Sequence, residues 1–152
     1  MYKITWIIEN KLATRPGPQE YPWNISEIKN QGINVIISLS NEGEETDIKN
    51  AKIKHYKFYT EDIELTNDHL INAFIDKVQD AIDIIHQELS SNNVVLVHCH
   101  AGRDRTGFVV AAYLTKYMNM SPEDALKKMR KLRPYCVYPG YEKALYLYQK
   151  SE

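Results

Sequence analysis

Apolar positions along the chain fall into short runs of two kinds, and the two kinds alternate. Ile4 to Ile8 (ITWII) is a β-branched run that predicts a strand. Asn10 to Tyr21, holding Pro16-Gly17-Pro18, predicts a turn-rich connection. Trp23 to Gln31 predicts a short helix, with Ile25 and Ile28 on one face and Gly32 as its stop. Ile33 to Leu39 (INVIISL) is nearly continuous in apolar residues, the pattern of a strand covered on both faces in a parallel sheet. Ile53 to Tyr59 (IKHYKFY) alternates instead and predicts a strand nearer an edge.

The strongest helical pattern spans Asn67 to Ser90. Leu70, Ile71, Phe74, Ile75, Val78, Ile82, Ile85 and Leu89 recur at steps of three and four and make one apolar stripe. Asn92-Asn93 breaks it, and Val94 to Val97 predicts a short buried strand. Thr106 to Met118 predicts a core helix. Ser121-Pro122-Glu123-Asp124 supplies a cap, a proline for the first turn and early acidic residues for a helix to Leu132. Tyr141 to Lys150 predicts a last helix. Strands alternating with helices predict an α/β fold, a central mostly parallel sheet flanked by helices.

Length and composition narrow the function classes more than the fold. The 152 residues suit one domain, with 43% hydrophobic and 26% charged residues, so disorder is excluded. A net charge of -1 argues against a dedicated nucleic-acid or membrane-surface protein. No apolar run approaches a membrane span, and Met1-Tyr2-Lys3 opens without a signal region. Two cysteines, Cys99 and Cys136, imply no disulfide framework and point to a reducing, cytoplasmic setting. His55, His69 and His86 are scattered without metal-ligand spacing, and no metal is expected.

The chemistry concentrates in His98-Cys99-His100-Ala101-Gly102-Arg103-Asp104-Arg105-Thr106-Gly107, which joins the buried strand to the core helix. A short loop entering a helix N-terminus turns backbone N–H groups toward one point, where the helix dipole adds positive charge. Gly102 permits a tight turn. Arg105 can close over the cradle with a planar fork that matches two phosphate oxygens. The same field favours the thiolate of Cys99, which beneath a bound phosphate is a nucleophile aimed at phosphorus. Thr106 can donate its hydroxyl to that sulfur.

His98-Cys99-x5-Arg105-Thr106-Gly107 resembles the signature of the cysteine-dependent protein tyrosine phosphatase superfamily. Leu132-Arg133-Pro134, the Tyr141-Glu142 helix, and Thr5 to Ile8 with Lys11-Leu12-Ala13 as opening strands are similar to the small atypical dual-specificity phosphatases. The resemblance implies that the whole chain, residues 1–152, is one phosphatase domain that acts as a monomer without metal or organic cofactor. It implies two steps. Cys99 forms a phosphocysteine while an acid protonates the leaving oxygen, and water then releases phosphate. His98 is similar to the family histidine that bonds the loop and tunes the cysteine.

The acid is expected on a loop between a strand and a long helix, some thirty residues before the cysteine in the family. Asp62 directly follows the IKHYKFY strand and lies 37 residues before Cys99. Asp68 lies 31 residues before it, but in a helix first turn, where an acidic residue ordinarily complements the dipole. Position favours Asp62; Asp68 and Asp104 are the alternatives.

His100, Ala101, Gly102, Arg103 and Asp104 complete the phosphate loop. Arg103 adds a second guanidinium; the Ala-Gly-basic run Ala101-Gly102-Arg103 resembles that of phosphoinositide phosphatases of the tensin type, and with Asp104 it resembles that of bacterial lipid-active tyrosine phosphatases. The expected partner is a phosphorylated protein or small phosphorylated molecule, with no nucleic acid. Phosphotyrosine and phosphoserine/threonine proteins stand first. Inositol phosphates, phosphoinositides or an RNA 5′ phosphate are the alternative, and a binding module without turnover is the third.

Overall fold

The computed structural model describes residues 4–150, and the expectation placed on residues 1–3 lies outside them. In chain order the elements are β1 (Thr5–Ile8), β2 (Leu12–Pro16), α1 (Ile25–Asn30), β3 (Val35–Ser38), α2 (Glu45–Asn50), β4 (Lys54–Lys57), α3 (Asp68–Ser90), β5 (Val95–Cys99), α4 (Arg105–Tyr117), α5 (Pro122–Leu132) and α6 (Pro139–Lys150). The strands form one sheet in the order β1-β2-β5-β3-β4. β1 runs antiparallel to β2, and β2, β5, β3 and β4 are mutually parallel. β4 stands at the edge, and its burial does not follow the alternation of its sequence: Lys54 and Lys57 are exposed, with His55 and Tyr56 both half-buried between them.

Strand side chains alternate between two cores. Leu12, Val35, Ile37, Val95 and Val97 face α3, α4, α5 and α6 in the larger core. Ala13, Ile36 and Leu96 face the other way, where Ile28 of α1 and Ile48 of α2 cover them. Both faces of the central strands are therefore dry, and their continuous apolar runs follow. α4 packs against α3, α5 and α6 and has almost no solvent face. Asn67 caps α3 by accepting the Leu70 amide at 2.9 Å, and Ser121 caps α5 by accepting the Asp124 amide at 3.1 Å.

Two expectations need correction. The Asn10–Tyr21 stretch is not all turn, because β2 lies inside it and pairs on both sides. Only Leu12 and Ala13 of that strand are apolar, while Thr14 and Arg15 are buried too, so hydropathy hides it. The opening-strand resemblance at Lys11-Leu12-Ala13 marked the same place. α2 was absent from the pattern: its six residues bury only Ile48, too few to show a period. α6 also begins at Pro139, two residues before Tyr141.

Candidate active site

Because β2, β5, β3 and β4 are parallel, their C-terminal ends open on one edge of the sheet. Ligand sites of open α/β sheets gather at that edge. Cys99 ends β5 there, 2% exposed, opposite Pro16 at the end of β2, while Ser38 at the end of β3 stands opposite His98. Residues 100–104 then lead into the N-terminus of α4.

The loop is held from outside by its carbonyls. His98 Nδ1 lies 3.3 Å from the Cys99 oxygen, the Gly17 amide donates to the His100 oxygen at 2.9 Å, and Arg133 Nη2 donates to the Ala101 oxygen at 3.3 Å. In a trans peptide the N–H points opposite to the C=O. Fixing these three carbonyls outward therefore turns the amides of His100, Ala101 and Gly102 inward. Among the described residues no protein acceptor takes a hydrogen bond from them. That is a preformed anion cradle at a helix N-terminus. Gly102 has φ +68°, and a Cβ there would meet the Arg15 carbonyl carbon and oxygen at 2.7 Å. A Cβ on Gly17 would run into the Glu42 carboxylate and meet the Cys99 oxygen at 2.8 Å. Both close approaches require glycine.

Arg105 is 3% exposed and lies beside the cradle. Its Nη1 donates to the Thr60 oxygen at 2.7 Å and the Leu39 oxygen at 3.3 Å, and its Nη2 stands 3.9 Å from Asp62 Oδ2. The guanidinium thus ties the loop after β4 to the phosphate loop. Asp62 itself is largely exposed. Tyr141 fixes the other side of it by donating its hydroxyl to the Ile63 oxygen at 2.8 Å. Asp68 is elsewhere, in the first turn of α3 and paired with Lys143 Nζ at 2.9 Å. Asp104 Oδ1 accepts the Tyr138 amide at 3.0 Å and so anchors the segment before α6.

That segment is strained. Tyr135 has φ +69° and Val137 φ +58°, the latter a β-branched residue in a region such residues avoid. Arg130 holds it in place, donating to the Cys136 oxygen at 3.1 Å and the Val137 oxygen at 2.6 Å. Cys136 is buried, and burial pushes its thiol up. A cleft of about 570 Å³ lies between this segment and the loop after β4, lined by Asp62, Ile63, Leu65, Asp104, Tyr138 and Tyr141 among others.

Three loop side chains are turned differently from expectation. His100 is engaged by carboxylates, with Nε2 3.1 Å from Glu20 Oε2 and Nδ1 3.4 Å from Glu42 Oε2. Arg103 stacks over the Tyr138 ring at 4.7 Å, and its buried Nε has no protein partner. Thr106 Oγ1 is buried and makes no hydrogen bond, to Cys99 or to any other described residue. The sequence pattern also missed Glu42, which is buried under the loop. Burial alone would raise its carboxyl, but the Gln19 amide, the Ser40 hydroxyl and His100 together hold it below the usual range. Its signal was positional: a Ser-x-Glu directly beyond a parallel central strand.

His98 is fully buried, with its ring edge-on to Trp23 at 4.9 Å. Burial pushes its imidazole down to about 4, so the ring is neutral. The unfolded chain takes up a proton near pH 6.5 that the folded chain refuses. Stability from this group is therefore complete above about pH 6.5 and is lost as pH falls toward 4, of order 3 kcal/mol in all. Urea midpoints at pH 7 and pH 4.5 should show the loss in the wild type and a clearly smaller one in His98→Asn. Equal acid losses in the two proteins would put the effect on other groups.

The sheet order, the strand-to-loop-to-helix cradle and the Cys-x5-Arg spacing define the class: the cysteine-dependent tyrosine phosphatase superfamily. Within it, the chain belongs to the family described as dual specificity phosphatase, catalytic domain, whose model matches residues 20–151. It is 32% identical over 120 residues to the phosphatidylglycerophosphate phosphatase PTPMT1 of Arabidopsis thaliana, covering 78% of this chain and 34% of that protein. It is 27% identical over 115 residues to the human phosphatidylglycerophosphatase and protein-tyrosine phosphatase 1, covering 74% of this chain and 57% of that protein. The chain thus spans about a third to just over half of these relatives. The crystal structure of human DUSP28 superposes with a TM-score of 0.77 at 16% identity, covering 99% of this chain and 95% of that one, and shares the fold. Among the described residues, no helix is long and apolar enough to cross a membrane.

Proposed function

We propose that the chain is a single catalytic domain that hydrolyses phosphomonoesters through a phosphocysteine, with phosphotyrosyl and other phosphorylated proteins as its first substrate class. The observation that carries this reading is the inward-turned, unpaired amides of His100, Ala101 and Gly102 immediately after a buried Cys99. A phosphate dianion accepting those amides and Arg105 sits over the sulfur. The sulfur lone pair attacks phosphorus, the P–O bond to the leaving group breaks, and Asp62 gives its proton to the departing oxygen. Asp62, deprotonated, then accepts a proton from the water that cleaves the S–P bond and releases phosphate. Arg105 holds equatorial oxygens through both steps.

Charge around the cleft bears on the substrate. Asp62, Glu64 and Asp104 line it, and Arg103 is stacked on Tyr138. Three carboxylates beside the cradle disfavour further phosphates on the leaving group, which speaks against inositol polyphosphates. Ile63, Leu65, Tyr138 and Tyr141 offer an apolar wall to a bulky leaving group. A second reading, a phospholipid headgroup phosphate, is supported by the names of the two curated relatives. Phosphate release from phosphotyrosyl and phosphoseryl peptides, phosphatidylglycerophosphate vesicles and inositol polyphosphates tests both. Peptides should turn over with the highest kcat/KM and inositol polyphosphates with the lowest. A preference for the vesicles would install the second reading, and a preference for polyphosphates would overturn the charge argument.

A further inference from the structure

His55 on β4 takes no part in the steps above, yet hydrogen bonds connect it to the nucleophile loop. Its Nε2 lies 2.8 Å from Ser38 Oγ, and the same hydroxyl lies 2.6 Å from His98 Nε2. His98 Nδ1 then lies 3.3 Å from the Cys99 carbonyl oxygen. Only one arrangement of protons satisfies the whole chain. A carbonyl can only accept, so Nδ1 of His98 carries the hydrogen. The ring is neutral, so its Nε2 is a lone pair and takes the Ser38 hydroxyl hydrogen. With that hydrogen spent, the Ser38 oxygen accepts from Nε2–H of His55.

We propose that His55 is a positioning residue for Cys99: through Ser38 it holds His98 in the Nδ1–H tautomer and so fixes the plane of the first peptide of the phosphate cradle. The proposal rests on the role given to Cys99 above. Without a donor at position 55, the Ser38 hydroxyl is free to turn and accept from Nε2–H of His98. The Nδ1 lone pair would then face the Cys99 oxygen, and the repulsion rotates that peptide. The His100 amide, which points opposite to the Cys99 carbonyl, then swings out of the cradle and away from the sulfur. An amide that stabilises the thiolate is lost.

The surroundings of the relay are mixed in charge. His55 faces Glu45, Thr46 and Lys49 of α2 and Lys57 of its own strand across a surface groove, and Tyr59 donates its hydroxyl to Glu45. Burial depresses the His55 imidazole, with Glu45 opposing that shift and Lys57 adding to it. At the other end, Glu42 and Arg15 act on His98 through space with opposite sign, and Trp23 closes the ring in. Both the neutral and the charged His55 ring can present Nε2–H to Ser38, so its protonation leaves the relay intact. Removing the side chain does not.

The test reads the sulfur itself. The rate at which iodoacetamide modifies the Cys99 peptide, followed by mass spectrometry from pH 5 to pH 9, reports thiolate formation without any need for turnover. In His55→Ala the rate at pH 6 should fall roughly three- to tenfold, with the acidic limb displaced upward by about half to one pH unit. At pH 9 the rates should converge. His55→Gln, whose amide N–H can still donate to Ser38, should stay within about twofold of wild type. Ser38→Ala removes the acceptor that the Nε2–H tautomer of His98 needs, so it should lose less than His55→Ala, and the double variant should match Ser38→Ala. A His55→Ala profile that overlays the wild type would overturn the proposal. So would a Gln variant as slow as the Ala variant, or an equal loss at every pH, which would mark a purely structural effect. Failure of the phosphatase reading looks different: phosphate release survives in Cys99→Ser, whatever the alkylation profiles show.

Discussion

Cys99→Ser should lose phosphate release by roughly 10⁴-fold or more while keeping both its fold and its affinity for phosphate esters. The oxygen of a serine is protonated at neutral pH, and no group in this site is placed to remove its proton. Among the described residues, His98 offers Nδ1 to the Cys99 carbonyl and Nε2 to Ser38, and Asp62 stands 3.9 Å from Arg105 rather than at the nucleophile. Binding has different origins. The cradle is built from amides whose carbonyls are tied to His98, Gly17 and Arg133, and none of those bonds passes through sulfur. The two measurements therefore separate. Steady-state phosphate release should vanish, whereas an inorganic phosphate or arsenate analogue should still raise the melting temperature, by mass action on the folded state. A serine variant that turns over near the wild-type rate would remove Cys99 from the chemistry. One that neither turns over nor binds, with its melting temperature unchanged, would mean that sulfur shapes the cradle as well.

How far the sequence carried depended on which physical signal each element left in it. α3 and the central strands were legible because burial there is one-sided or complete, and hydropathy records burial. Ile33–Leu39 and Val94–Val97 read as dry strands, and β3 and β5 have helices on both faces. β2 was hidden because Thr14 and Arg15 are buried polar residues, satisfied partly by structure that only the fold provides: Arg15 donates to the Tyr21 oxygen at 2.8 Å and lies 5.4 Å from the Trp23 ring. α2 is made of charged and neutral polar residues around one buried isoleucine, and no period can be read from one position.

The phosphate loop was legible for another reason. Backbone chemistry at a strand-to-helix turn needs glycine, arginine and cysteine at fixed spacing, and all lie within ten consecutive residues. What surrounds the loop is not local. Glu42, Tyr138, Tyr141 and Arg130 arrive from separate segments, and their roles depend on a sheet order that spacing along the chain does not encode. The side-chain directions of His100 and Arg103 were equally illegible, because Glu20, Glu42 and Tyr138 decide them.

The choice of acid gives the sharpest remaining test. Asp62→Asn should slow hydrolysis of tyrosyl and alkyl phosphates about a hundredfold or more, the scale of a lost general acid. The loss should shrink steeply on an aryl phosphate whose phenol is strongly acidic, because such a phenolate leaves without a proton. The structure gives reasons to expect this of Asp62 and not of its rivals. The backbone on either side of Asp62 is pinned, at Thr60 by Arg105 and at Ile63 by Tyr141, while its carboxylate stays exposed on the cleft beside the cradle. Asp68 is occupied by Lys143 and the N-terminus of α3, so Asp68→Asn should cost only a small amount of stability, of the order of 0.5 kcal/mol, and leave the leaving-group dependence unchanged. Asp104 accepts the Tyr138 amide and supports the strained segment ending at Val137, so Asp104→Asn should lower the melting temperature and slow good and poor leaving groups by the same factor. A leaving-group effect that appears in Asp68→Asn and not in Asp62→Asn would move the acid to the helix. The same effect confined to Asp104→Asn would move it into the phosphate loop. Neither result would disturb the roles of Cys99 and Arg105, since proton donation to the leaving oxygen is a separate demand on the site from attack at phosphorus.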